Sequence, residues 1–248
     1  MPFVGEWNGK ATFPWKFIFL TTQCNMIHLA YGVAWAFEGV VPGSTRGVLY
    51  PTAPLVCGVG LYVFVNYYAL IHFHKENAEF IEEAAKTNGL IYAGKPISTA
   101  RFFRIMNFMH APLLPLAGFP LVAMNRNLLV EDSLTLIGIW ICVFVFFSWY
   151  ACLVFAVKWL SSFWVYPFMN DFIHVWQHAV FYSSACAIYG LFCMGYRSII
   201  LITAGQEALT EVCLGFICAG TMLAVFLSKG QHPKAMESDP HYVMYEPL

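Results

Sequence analysis

The chain has 248 residues, 59% of them hydrophobic and only 11% charged, and a formal net charge of -1; its mean hydropathy is +0.63. Soluble domains carry about a quarter charged residues, so this composition excludes an ordinary water-soluble fold and points to an integral membrane protein. With no basic surplus and no RNA- or DNA-binding motif, nucleic acid is excluded as a partner.

A bilayer core needs about 20 apolar residues per helix. The sequence offers six such stretches: Phe17 to Phe37, Thr52 to Phe73, Phe102 to Met124, Leu134 to Leu160, Phe172 to Gly195 and Glu207 to Ser228. Runs this long and continuous are not the short alternating strands of a transmembrane barrel. The expected fold is therefore all-α, an integral membrane helical bundle of about six transmembrane helices. It forms a single domain over residues 1–248, with a surface loop 74–101 and a polar C-terminal tail 229–248.

Ahead of the first span, MPFVGEWNGKATFPWK lacks the Arg-rich pattern of a transit peptide, so the first helix is expected to direct insertion. Thr21 lies roughly 6 Å inside that span at the α-helical rise. The next segment, VVPGSTRGVLYP, reads as a short turn, and the second span ends on a polar rim of His72, His74 and Lys75. In the following loop AEFIEEAAKT has helix-forming composition and KTNG a stop signal. His110 lies roughly 12 Å inside the third span. After it NRNLLVED reads as another short turn, and SSFWVYPFMN closes the fourth span with the aromatic residues and proline that suit a membrane interface.

The fifth span opens with His174 and His178, spaced to share one helix face. Such a pair suits a shared metal or a haem ligand, but no acidic or cysteine partner lies nearby in sequence, and an interfacial placement is the competing reading. Glu207 and Glu211 read as residues of a helix start or of a partner contact. The tail contains proline and no helical period, so alone it should not order. All eight cysteines fall within the spans without CxxC spacing and read as small core packers. Gly58, Gly60 and Ala69, with Ser183, Ser184, Ala185 and Ala187, read as sites of close helix contact. No cofactor is implied.

Charge placement orients the bundle. With six crossings the termini share a face with the second and fourth loops, and that face carries Lys10, Lys16, Lys75, Lys86, Lys95, Arg101, Arg104, Lys158, Lys229 and Lys234. The opposite face carries Arg46, Arg126 and Arg197. This asymmetry places both termini on the same, positive side. The first and third spans then enter from that side, run parallel and bring Thr21 and His110 to similar depths. A hydroxyl paired with an imidazole is the minimal apparatus for covalent acyl transfer, with Thr21 as nucleophile and His110 as base. The competing reading is structural: threonine in a membrane helix often bonds its own backbone, and histidine often bridges helices.

Three segments, WKFIFLTTQCNMIHLAYG, FMHAPLLP and SSFWVYPFMN, resemble in order three signature stretches of the androgen-induced and androgen-dependent membrane protein family. The resemblance runs from about Trp15 to Gly195 and is closest at WVYPF, Trp164 to Phe168. It implies a multispanning threonine hydrolase of lipid esters, including fatty acid esters of hydroxy fatty acids, in the endoplasmic reticulum. The catalytic threonine and histidine of that family fall on Thr21 and His110, and Trp164 and Tyr166 would close the mouth of a substrate pocket. Ala111 and Pro112 stand where the family commonly has polar residues, and this chain adds a C-terminal span and tail.

Two functional readings follow. The first is a lipid ester hydrolase acting on membrane lipids through Thr21 and His110. The second is a noncatalytic accessory subunit that keeps the hydrolase-like bundle and uses its last span and tail to join a large membrane complex, such as a mitochondrial inner-membrane respiratory or ATP synthase assembly.

Overall fold

The structure, a computed structural model, describes residues 20–72, 90–92, 95–97, 99–124, 126–161, 164, 169 and 172–204, with scattered positions between 212 and 223. The helix expected at AEFIEEAAKT, Tyr166, Glu207 and Glu211, most of the sixth span and the tail 229–248 lie outside the described residues.

Helix α1 is Leu20–Val40. It ends in a turn where Gly43 adopts φ 87°, a conformation that side chains with a Cβ rarely take. The Glu38 carboxylate organises that turn, accepting hydrogen bonds from the backbone N–H of Gly43 at 2.6 Å and of Thr45 at 2.8 Å. The turn is thereby fixed just before α2, Arg46–Asn66, which starts earlier than the Thr52 expected from apolar content alone. Pro51 and Pro54 lie inside this helix; each removes a backbone donor without ending it. A π-helical turn, Tyr67–His72, continues α2.

The expected surface loop contains an antiparallel hairpin of β1, Leu90–Tyr92, and β2, Lys95–Ile97, with Leu90 opposite Ile97 and Tyr92 opposite Lys95. Among the described residues the remaining elements are helical. Where one third span was expected there are two helices, α3 at Thr99–His110 and α4 at Leu113–Ala123. Pro112 and Pro115 cause the division, because neither has the N–H that would bond the carbonyl four residues earlier. The chain still runs across the break through Ala111 N–H to Asn107 O at 2.8 Å and Leu116 N–H to Pro112 O at 3.0 Å.

The expected turn NRNLLVED instead holds a short helix, α5, Arg126–Asp132. It forms because Leu129 is completely buried, packing with Leu49, Leu121 and Ile200. Helix α6 is Leu136–Ser161. Helix α7, Val175–Thr203, outlasts the expected end at Gly195 because Tyr196 and Ile200 continue its buried stripe.

Among the described residues three helical stretches are long and apolar enough to cross a membrane: Arg46–Ala69, Leu136–Leu160 and Val175–Thr203. Ile105–Leu121 is a shorter apolar stretch. The three long ones differ in role, since 67% of the first is buried inside the bundle against 28% and 33% of the other two. Helix α2 is thus the central post. The outer faces of α6 and α7 display Ile137, Phe144, Trp149, Val180, Leu191 and Ile202, which suit contact with lipid tails.

Close helix approach depends on missing side chains. A Cβ on Gly58 would lie 2.5 Å from Cys193 Sγ and 2.9 Å from Cys193 Cα, which fixes the α2–α7 crossing. Gly190 presses in the same way against the Trp140 ring of α6. Of the small residues expected to perform this task, Gly58, Gly60 and Ala185 are buried, whereas Ala69, Ser183, Ser184 and Ala187 are exposed. The buried stripe of α7 runs through Ala185, Tyr189, Cys193, Tyr196 and Ile200, and the small polar residues lie off it. Two tyrosine hydroxyls complete the attachment to α2, Tyr31 donating to Leu49 O at 2.7 Å and Tyr189 to Leu55 O at 3.0 Å.

Candidate functional site

Contacts at each end of α2 fix the directions of its neighbours. Tyr31 of α1 bonds the start of α2, whereas Thr21 lies at the other end of α1, so these two helices are antiparallel. Tyr68 OH, just past the end of α2, donates to Asn107 Oδ1 of α3 at 3.1 Å. The beginning of α1, the end of α2 and the end of α3 therefore converge.

At that convergence Thr21 Oγ1 lies 3.0 Å from His110 Nε2. The other ring nitrogen, Nδ1, is 2.6 Å from the carbonyl oxygen of Met106. A carbonyl only accepts, so Nδ1 carries the proton, and in the neutral ring Nε2 presents a lone pair. The Thr21 hydroxyl then donates to Nε2, the direction in which a general base takes a proton. His110 is 2% exposed and Thr21 is half-buried, so the base is the more shielded of the two.

Three further side chains brace the pair. Asn25, one helical turn beyond Thr21, donates from Nδ2 to Met109 O at 3.3 Å and ties α1 to the residue before His110. Tyr67 stacks on the imidazole, ring centroids 3.7 Å apart and planes 13° from parallel. Its neighbour Tyr68 holds Asn107, as above. The sequence reading named none of these. Asn25 carried a usable signal, a second polar side chain four residues after Thr21 on the same face. Tyr67 carried none, because an aromatic residue near the end of an apolar span reads as an ordinary interfacial residue.

Trp164, His174 and His178, the other expected site residues that the structure describes, make contacts around the start of α7. The Trp164 ring packs on Phe155 at 5.4 Å and on His178 at 4.6 Å, with Lys158 Nζ 5.5 Å above it. It belongs to the junction of α6 and α7, and the expected pocket partner Tyr166 lies outside the described residues. His174 and His178 do not share a helix face. His174 precedes α7 with extended backbone, φ -112° and ψ 143°, and its N–H donates to Gln177 Oε1 at 2.8 Å. His178 is buried among Phe155, Trp164 and Phe172. The pairing needs both residues inside the helix, and capping by Gln177 starts the helix after His174. Among the described residues no group of three or more His, Cys, Asp or Glu side chains is arranged to hold a metal ion.

Of the cysteines expected to be core packers, Cys24, Cys57 and Cys193 are buried and fill the bundle interior, Cys142 and Cys186 are half-buried, and Cys152 is exposed. His28, on the α1 face that also carries Thr21, is 7% exposed and packs its Nε2 against Gly60, where a Cβ would stand 2.6 Å away.

Scans of the chain against protein-family models, curated proteins and solved structures each find no match.

Proposed function

We propose that this protein is a membrane-embedded hydrolase of lipid esters in which Thr21 is the nucleophile and His110 the base. One observation carries the reading: the 3.0 Å approach of Thr21 Oγ1 to a histidine nitrogen whose partner nitrogen is already committed to a carbonyl. The resemblance to the androgen-induced and androgen-dependent family selects the same two positions on independent grounds. In this reading the chain crosses the bilayer six times, with both termini on the face rich in Lys and Arg.

The chemistry balances in two half-reactions. His110 Nε2 takes the Thr21 hydroxyl proton as Oγ1 bonds to the ester carbonyl carbon. The carbon–oxygen bond to the alcohol then breaks, and the departing oxygen receives that proton from Nε2. Next Nε2 deprotonates a water whose oxygen bonds to the acyl-threonine carbon; the bond from that carbon to Oγ1 breaks, Oγ1 takes the proton back from Nε2, and the acid leaves.

The experiment is hydrolysis of a long-chain ester by the purified chain in lipid nanodiscs. Thr21→Ala should abolish turnover, and His110→Gln should lower kcat about 10²- to 10⁴-fold with the fold intact. Wild-type turnover in Thr21→Ala would remove the nucleophile assignment. A wild-type chain that hydrolyses no ester and migrates within a large native complex would favour the accessory-subunit reading.

A further inference from the structure

We infer that Tyr67 is a positioning residue for His110, its ring face setting the imidazole plane and favouring the imidazolium formed when Thr21 gives up its proton. This rests on the hydrolase reading above and adds to it the group that stabilises the charged base.

A histidine base needs two things besides its substrate hydroxyl. Its ring must be held in one orientation, and the positive charge it gains must be stabilised. In Ser-His-Asp triads a carboxylate on Nδ1 does both. Here Nδ1 meets the neutral Met106 carbonyl at 2.6 Å, which fixes the tautomer but brings no negative charge. The Tyr67 ring lies flat on the other dimension of the imidazole, 3.7 Å away and tilted by 13°. Rotation about the His110 Cβ–Cγ bond would drive the imidazole edge into that ring, so Nε2 stays aimed at Thr21 Oγ1. The negative face of an aromatic ring also attracts a cation, and more so out of water. Tyr67 is 2% exposed and His110 is likewise buried, so the stack is dry.

The backbone delivers Tyr67 to this place as the direct continuation of α2: it keeps α-helical angles, φ -61° and ψ -51°, and its N–H bonds Val63 O. Tyr67 is the first residue of the π-helical turn, and π-helical turns occur frequently at functional sites. The adjacent Tyr68 reaches Asn107, one turn before His110, so consecutive tyrosines grip α3 at two points and hold the stack in register.

The test compares wild type, Tyr67→Phe and Tyr67→Leu as full chains in nanodiscs, with Tyr67→Met in reserve should the leucine variant fail to fold. Phenylalanine keeps the ring face, whereas leucine and methionine remove it. Tyr67→Leu should lower kcat about tenfold, with Tyr67→Phe close to wild type. KM should stay within about twofold in both, as expected for an interaction made with the reacting base. Nuclear magnetic resonance gives a readout that does not depend on turnover. The carbon-bound ring protons of His110 should show an upfield ring-current shift in wild type and Tyr67→Phe that is lost in Tyr67→Leu. Undiminished kcat in Tyr67→Leu, or an equal loss in Tyr67→Phe, overturns the inference while leaving the hydrolase reading in place. Absence of any Thr21-dependent turnover in wild type defeats both, so the two failures are distinguishable.

Discussion

A histidine whose Nδ1 is bound to a backbone carbonyl can act as a base only through Nε2, and in this chain Nε2 faces the Thr21 hydroxyl at 3.0 Å. Depth and helix direction allowed the pair in sequence without deciding between a chemical and a structural role, and the family resemblance falls on the same two residues. The carbonyl of Met106 was not legible, since a backbone acceptor leaves no trace in residue identity. His174 and His178 show the opposite case: their spacing suggested a pair, but the helix starts one residue too late to make one. Asn25 supplies a residue-scale prediction. Its amide joins α1 to Met109 beside His110, so Asn25→Ala should cost about 1 kcal/mol of stability. Unfolding in detergent measures that loss, and a stability equal to wild type would mean that the bond contributes nothing.

Among the elements, the ends carry most of the information that hydropathy missed. Apolar content located α6 closely, yet it merged α3 with α4, because a span of uniform hydropathy conceals the two prolines that divide it. It also began α2 too late, because the signal for that start is polar. Hydrogen bonds from the backbone of Thr45 and Gly43 hold the Glu38 carboxyl below its ordinary value. A depressed carboxyl contributes stability above its unfolded value and loses it as the pH falls through the folded one. Acidification from about pH 6 to about pH 3 should therefore lower the melting temperature of wild type more steeply than that of Glu38→Gln. Parallel melting curves for the two proteins would show that the α1–α2 turn does not depend on this carboxylate. The Arg46–Asp132 pair at 2.9 Å joins the same region to α5, but both side chains are partly exposed and the bond is worth at most about 1 kcal/mol.

Taken as a whole, the molecule is built around α2. Tyr31 and Tyr189 bond its carbonyls, Gly58 lets α7 approach, and its final turn supplies the tyrosines that reach α3. Composition made the membrane class legible, but the packing face of α7 was not legible, since small residues at Ser183, Ser184 and Ala187 are exposed and larger ones at Tyr189, Tyr196 and Ile200 are buried. The central position of α2 was not, because a helix buried on all sides and one facing lipid are equally apolar. This arrangement places the dyad at one end of the bundle, where α1, α2 and α3 meet, and leaves the outer faces of α6 and α7 to lipid. The most direct test of the central claim is covalent capture with a long-chain fluorophosphonate, followed by mass spectrometry of the peptides. The account predicts a phosphonyl adduct on Thr21 that is lost in His110→Gln. Ester turnover with the adduct on another residue, or with none at all, would contradict it.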